Sequence, residues 1–302
     1  MARPLKVGVQ LPEVEYEVRW PQLQEMVRLA EDIGLDSIWL GDHYLHRDDQ
    51  RTRGPWEAWT QLAAIAAVTS RVEIGPLVAA TAFHQPAVLA KFASTVDEIS
   101  GGRLILGLGA GWNEAEFAAF GFPFDQRVSR FEEAFTIIRT LLRDGHIDFD
   151  GRFYQLRDCE LLPRGLRPGG PPLMVGSNGP RMLRITMPYV QAWNAWFLWF
   201  GNATPGLAQQ RALVDGACAE VGRDPDAVER TAAAFVRLPG ALDQRDFDRA
   251  SAPPIGGSPE RIAAALREFG AAGISHVQLV IDPITPAGIE SLAPVLAALD
   301  AP

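Results

Sequence analysis

Eight short apolar runs, each followed by a stretch with helical spacing, recur along this 302-residue chain. Strands buried on both faces read as continuous apolar runs, and their regular alternation with helices is the signature of a parallel α/β fold. LKVGVQ (5–10) is the first run. Trp20, Leu23, Val27, Ala30 and Ile33 then recur at helical spacing until Gly34 stops the helix. DSIWLGDH (36–43) leads through the charged loop HRDDQRTRGP to a helix over 56–68, and RVEIGPLVAAT (71–81) to a helix near Pro86 with Leu89, Phe92, Val96 and Ile99 on one face. RLILGLG is followed by a helix over 114–120 and a longer one over 127–143, whose apolar face is Phe131, Phe135, Ile138 and Leu142.

After an interruption the pattern resumes with PPLMVGS and a helix from Pro180, YVQAWNAW and a helix over 205–221, TAAAFVRL and a helix over 258–270, then HVQLVI and a helix over 288–299. Eight such units predict an α/β fold of the (β/α)8 TIM-barrel type. The interruption, near residues 145–170, reads as an insertion made of a hairpin around Asp150-Gly151 and a proline-rich loop. No linker-like stretch divides the chain, so residues 1–302 are expected to form one domain.

The run LILGLGAGWNE (104–114) has glycines at alternate positions but lacks the third glycine spacing of a dinucleotide-binding turn, since Trp112 follows Gly111. Its glycines still let backbone approach a ligand closely. A formal charge of -9, with no Lys/Arg cluster, argues against nucleic acid or an anionic membrane as partner. Cys159 and Cys218 are too few for a disulfide framework or a thiolate metal site. With no 18-residue apolar stretch and no signal-like h-region at the start, a cytoplasmic protein acting on a small molecule is expected.

In a barrel of this type the ligand lies at the carboxyl ends of the strands, so the polar residues just beyond each run are the candidates. These are Asp42 and His43, Thr81 and His84, Trp112, Asn113 and Glu114, then Gly176, Ser177, Asn178 and Gly179, then Trp193 and Asn194, and Asp282. An imidazole beside a carboxylate can exchange a proton near neutral pH, which makes Asp42-His43 the catalytic candidate; the alternative is a turn cap and a packed ring. His84 could line the same pocket or be a loop histidine. No His or carboxylate spacing suits a metal, so none is expected. VGSNGPR could cradle a phosphate, with Arg181 adding charge, or be an ordinary loop with Asn178 as helix N-cap.

Taken together, AEDIGLDSIWLGDH, EAWTQLAAIAAVTSRVEIGPLV, HQPAVLAKFASTVDEISGGRLILGLGAGWNEAEFAAFG, RFEEAF, FDGRFYQL and PPLMVGSNGPRMLRI with QAWN resemble the bacterial luciferase-like (β/α)8 flavoproteins. Within them the likeness is to the coenzyme F420-dependent oxidoreductases. It spans nearly the whole chain. The resemblance implies a deazaflavin across the barrel mouth, approached by Asp42 and His43. It implies a bulge with a non-prolyl cis peptide at Ala79, Ala80 and Thr81, a channel lined by Gly107, Gly109 and Asn113, and phosphate held at Gly176 to Gly179. It also implies a homodimer. Family members that oxidise a sugar phosphate carry a glutamate at the position matching Ala110, so that reaction is not expected here; Gln191 replaces a common Asp. His43 is the candidate to supply the proton that accompanies hydride transfer to a C=C, C=N or C=O bond. His84, Trp112, Trp193, Trp196 and Phe197 are the candidate substrate-pocket residues, and loops 44–56, 145–170, 195–206 and the tail of the seventh strand would set the substrate. Two alternatives stand beside this reading: an FMN-dependent monooxygenase using reduced flavin and oxygen, and a non-redox barrel that binds a phosphorylated metabolite.

Overall fold

A computed structural model describes residues 5–47, 51–242 and 251–301. Parts of two segments expected to set the substrate, 48–50 in the charged loop and 243–250 beyond the seventh strand, lie outside the described residues. The barrel strands are β1 (Lys6–Gln10), β2 (Ser37–Leu40), β3 (Glu73–Pro76, resuming at Ala79–Ala80), β4 (Leu106–Gly109), β5 (Leu173–Val175), β6 (Ala192–Ala195), β7 (Glu229–Arg237) and β8 (His276–Asp282). All pair in parallel in the order β3-β2-β1-β8-β7-β6-β5-β4. The ring closes because the second piece of β3 pairs with β4, Ala79 opposite Leu108 and Ala80 opposite Gly109, with a further bridge between Ile74 and Leu104.

Helices cover the outside: α1 (Trp20–Asp32), α2 (Ala58–Val68), α3 (Pro86–Ser100), α4 (Glu114–Phe120), α5 (Arg127–Asp144), α6 (Pro180–Thr186), α7 (Thr204–Glu220), α8 (Pro259–Ala271), α9 (Pro286–Glu290) and α10 (Ala293–Asp300). Their starts follow local chemistry. Glu57 caps α2 by accepting from the N–H groups of Trp59 and Thr60, and Gln85 and Pro86 open α3. The expected (β/α)8 architecture is therefore the observed one. The last helix is broken into α9 and α10.

Three expectations about these elements need correction. On α3, Leu89 and Val96 are buried, but Phe92 and Ile99 face solvent, as does Trp20 at the start of α1. Their partners in the core are Ala90 and Ala93, small residues that let α3 sit close to its neighbours. The third strand is not one run over 71–81, because it breaks after Pro76. The non-prolyl cis peptide lies in that break, between Leu77 and Val78, two residues before the expected Ala79-to-Thr81 segment.

The insertion contains the expected hairpin, His146–Asp150 against Gln155–Glu160. Glu133 of α5 fixes its turn by accepting from the N–H groups of Arg152, Phe153 and Tyr154. The rest of the insertion is pinned by Arg167, which reaches the buried carboxylate of Asp97 on α3 with two hydrogen bonds. Cys159 and Cys218 are free thiols. Among the described residues no helix is long and apolar enough to cross a membrane.

Candidate active site

The carboxyl ends of the strands enclose a cavity of about 710 Å3. Of the residues expected there, Asp42, His43, Ala80, Gly109, Trp112, Gly176, Ser177, Asn178, Gly179, Trp196 and Phe197 line it, together with Asn194 and Ala110. Glycine at 109 and 176 has a steric reason. A Cβ at Gly109 would come within 2.8 Å of Val78 Cγ2, and one at Gly176 within 3.1 Å of Val78 Cγ1. Both strand ends thus pack around a single side chain that itself faces the cavity.

Asp42 and His43 follow β2 and take up different positions. The Asp42 carboxylate is buried, and its Oδ2 accepts from Ala80 N–H at 2.9 Å and bonds His84 Nε2 at 2.8 Å. Its Oδ1 is buried and has no protein partner. His43 stands at the cavity wall with its Nδ1 2.9 Å from Glu116 Oε2 and its ring edge-on to Trp112, centroids 5.8 Å apart. Burial pulls the pKa of His43 down. The hydrogen bond to Glu116 and the charges of Glu13, Glu116 and Asp42 outweigh that and raise it to about 9. At neutral pH the ring is an imidazolium.

Glu116 is the residue the sequence reading missed. Glu114, the candidate carboxylate in this stretch, is exposed, and Glu116, about half a turn further along α4, is the one that points inward and is fully buried. Its Oε1 accepts from the backbone N–H groups of Tyr44 and Leu45 at 2.8 and 2.9 Å. Burial would raise its pKa, but the bonds to His43, Leu45 and Tyr44 hold it below the usual carboxylate range. Helical spacing gave no help here, because Glu114 lies three residues before the buried Phe117 and so shares its face more closely than Glu116 does.

Several candidates lie elsewhere. His84 does not line the cavity; it supports Asp42 from behind. Ala79 and Thr81 lie in the wall behind it, with Thr81 Oγ1 donating to the Gly109 carbonyl. Gly107 sits deeper in the barrel, where a Cβ would meet the Pro76 carbonyl oxygen at 2.3 Å. Asn113 instead donates to the Leu45 carbonyl and ties α4 to the loop after β2. Trp193 is fully buried and donates to the Ser177 carbonyl at 2.7 Å, so it supports the glycine loop from below. On β6 successive side chains alternate, and Asn194, which bonds Thr231 and Gln278 inside the barrel, takes the inward position.

Arg181 turns away to pair with Glu132 on the surface. Arg127 of α5 lines the cavity instead and donates to the Gly111 carbonyl, and Arg53 is a second cation in the lining. Asp282 accepts from Leu242 N–H outside the cavity, and Gln191 accepts from Leu173 N–H at the opposite end of the barrel. Among the described residues no group of three His, Cys, Asp or Glu side chains is placed to hold a metal ion.

The fold and this cavity can be set beside known proteins. The family model described as luciferase-like monooxygenase matches residues 6–239. The chain belongs to the luciferase-like monooxygenase family. Within that family it is 35% identical over 181 residues to an F420-dependent glucose-6-phosphate dehydrogenase of Amycolatopsis mediterranei, covering 58% of this chain and 53% of the relative. It is 32% identical over 182 residues to a 5,10-methylenetetrahydromethanopterin reductase of Archaeoglobus fulgidus, covering 60% and 50%. It is also 32% identical over 174 residues to the pyrimidine monooxygenase RutA of Caulobacter vibrioides, covering 56% and 48%. The chain spans about half the length of these curated relatives. Its fold matches that of an F420-dependent secondary alcohol dehydrogenase in complex with an F420-acetone adduct, with a TM-score of 0.83 and 20% identity over 98% of this chain and 99% of that one.

Two buried oxygens in the cavity wall, Asp42 Oδ1 and Gln10 Oε1, accept no hydrogen bond from the protein. Buried acceptors without donors are costly, so they call for a ligand that carries N–H or O–H groups. A flavin-type or deazaflavin ring has such donors, and the glycine-lined wall leaves room for a flat ring. The residues present fit such a group.

Proposed function

We propose that this luciferase-like protein is an F420-dependent oxidoreductase acting on a small organic substrate with a C=C, C=N or C=O bond. The observation that carries the reading is the convergence in one cavity of a charged imidazole, two unsatisfied buried acceptors, a glycine-lined loop and the Arg127 cation. Relatives named as F420-dependent support the choice of cofactor. A bound deazaflavin would supply two-electron hydride chemistry at a ring carbon that replaces the flavin N5.

The chain's own residues do the rest. Gly176 to Gly179 offer a small-residue lining, and Arg127 a positive charge, that would suit the anionic part of the cofactor. Asp42 and Gln10 would accept from its ring donors. His43 holds a proton at the wall, and Trp112, Trp196, Phe197 and Phe83 give the cavity an apolar lining. Ala110 presents only a methyl group to the cavity, so a sugar-phosphate dehydrogenase reaction is not part of the proposal.

Anaerobic assays that offer reduced F420 with a panel of ketones, enals and imines test the reading. Oxidation of F420 is expected with at least one of these classes. Substrate-dependent oxygen consumption with reduced FMN, and no turnover with F420, contradicts it and favours a monooxygenase.

A further inference from the structure

We propose that Glu116 is the positioning residue of this site: it fixes His43 by Nδ1 and leaves Nε2 as the proton-carrying nitrogen presented to the cavity. Only the use made of that proton rests on the oxidoreductase reading; the placement rests on the contacts themselves.

The Glu116 carboxylate serves three donors at once, two backbone N–H groups of the loop after β2 through Oε1 and the His43 ring through Oε2. Tying the loop to α4 needs only the two backbone bonds. The third goes to a side chain that lines the cavity. A carboxylate bound to Nδ1 makes that nitrogen a donor, as in other sites where a buried acid orients an imidazole, so Nε2 is the ring nitrogen left for a ligand.

Glu116 is itself held in place. Its neighbour Phe117 packs against Phe83, with centroids 4.9 Å apart, and against Phe124 at 5.1 Å. Tyr44, next to His43, packs on Phe83 and Phe120. This aromatic cluster fixes α4 and the loop after β2 relative to each other, so the ring and its acid cannot drift apart cheaply.

Carboxylates surround the ring from three directions: Glu13 from the segment after β1, Asp42 beside it in the chain, and Glu116 from α4. Glu15 also lines the cavity, as do the cationic or titratable His46, Arg53 and Arg127 from the charged loop and α5. His84 reaches the ring only through Asp42. Glu116 is hydrogen-bonded to the ring itself, and that bond is the largest of the influences that hold the proton on it. A protonated Nε2 suits a ligand that offers an acceptor there, such as a carbonyl oxygen or an imine nitrogen, and disfavours one that offers a donor.

The test uses the unliganded protein with nitrogen-15-labelled histidine, and the His43 signals are assigned by their loss in H43Q. In the wild type the His43 ring is expected to titrate near 9 and to keep its proton on Nδ1 above that pH. In E116Q the amide has one oxygen for donors on two sides, and the midpoint is expected to fall by about 2 units toward the ordinary value near 6.5. E116D keeps the charge on a shorter arm and should lie between them. A wild-type midpoint at or below 6.5, or no shift in E116Q and E116D, overturns the proposal; if E116Q does not fold, the wild type and E116D decide it. No cofactor is present in this experiment, so its outcome is independent of whether F420 binds.

Discussion

Replacing His43 with glutamine is expected to lower turnover with reduced F420 and its acceptor by about 10²- to 10⁴-fold, the usual loss on removing a general acid. Cofactor affinity should change far less, because the glutamine amide can still donate to Glu116 and the glycine loop at the other side of the cavity is untouched. What is lost is the proton at Nε2. The pH profile should carry the same signature. The raised pKa keeps the wild-type ring charged through neutrality, so reduction should be level up to about pH 8 and fall as pH rises through about 9. H43Q should be flat across that range. Steady-state rates over pH 6–10 for the two proteins check this, and an H43Q rate within about threefold of wild type would remove His43 from any proton role.

A large effect on stability is expected at the opposite end of the barrel. His276 on β8 is buried, and its Nε2 lies 2.7 Å from Ser37 Oγ, which in turn accepts from Trp39 Nε1 at 2.7 Å. The serine still has its own hydrogen to donate to Nε2, and burial of the ring favours the neutral imidazole that accepts it. Burial, helped by the nearby Lys6 charge, pushes the pKa of His276 down to about 3. Between that value and about 6.5 the unfolded chain binds a proton that the folded chain refuses, so this group's contribution to stability falls as pH falls through that window.

The slope for one proton is about 1.4 kcal/mol per pH unit, which gives about 2 kcal/mol between pH 6.5 and 5. His43 is common to both proteins and cancels in the comparison: its raised pKa gives stability that is complete below about 6.5 and lost progressively between there and about 9. Glu116, whose pKa is lowered, gives stability that is present above the ordinary carboxylate value and lost at more acid pH. Urea denaturation of wild type and H276Q at pH 7.5 and 5 should show the wild type losing about 2 kcal/mol more than the variant, since glutamine can bond Ser37 without titrating. Equal losses would contradict a neutral buried His276.

Most of the barrel was legible because its signal is long-range and repeated: apolar runs buried on both faces, each followed by a helix with a clear stop. The breaks were not. Nothing in RVEIGPLVAAT marks the interruption after Pro76, because apolar residues continue across it while the backbone changes course. Exposure of Phe92 and Ile99 was also hidden, since helical spacing gives two possible faces and Ala90 and Ala93 on the other one carry little weight.

The site shows the same division. Positions fixed by strand ends, Asp42, His43, Gly109 and Gly176 among them, were found. Residues whose direction depends on helix phase or strand parity were not. Glu114 and Glu116 are two residues apart on a short helix, and only one can face inward; Trp193 and Asn194 are adjacent on a strand and face opposite sides. Arg127 and Gln10 come from segments that no local motif singles out, and only the closed barrel brings them to the same cavity.

The central claim is that this cavity takes F420, and equilibrium binding to the unliganded protein tests it most directly. Titration with oxidised F420 and, separately, with FMN, followed by fluorescence or calorimetry, is predicted to give micromolar or tighter binding of F420. A valine at position 176, where even a Cβ would press on Val78, should abolish that binding. Tight binding of FMN with none of F420 would contradict the claim and turn the assignment to a flavin monooxygenase. Binding of neither, with phosphate esters retained, would contradict it in favour of a non-redox barrel.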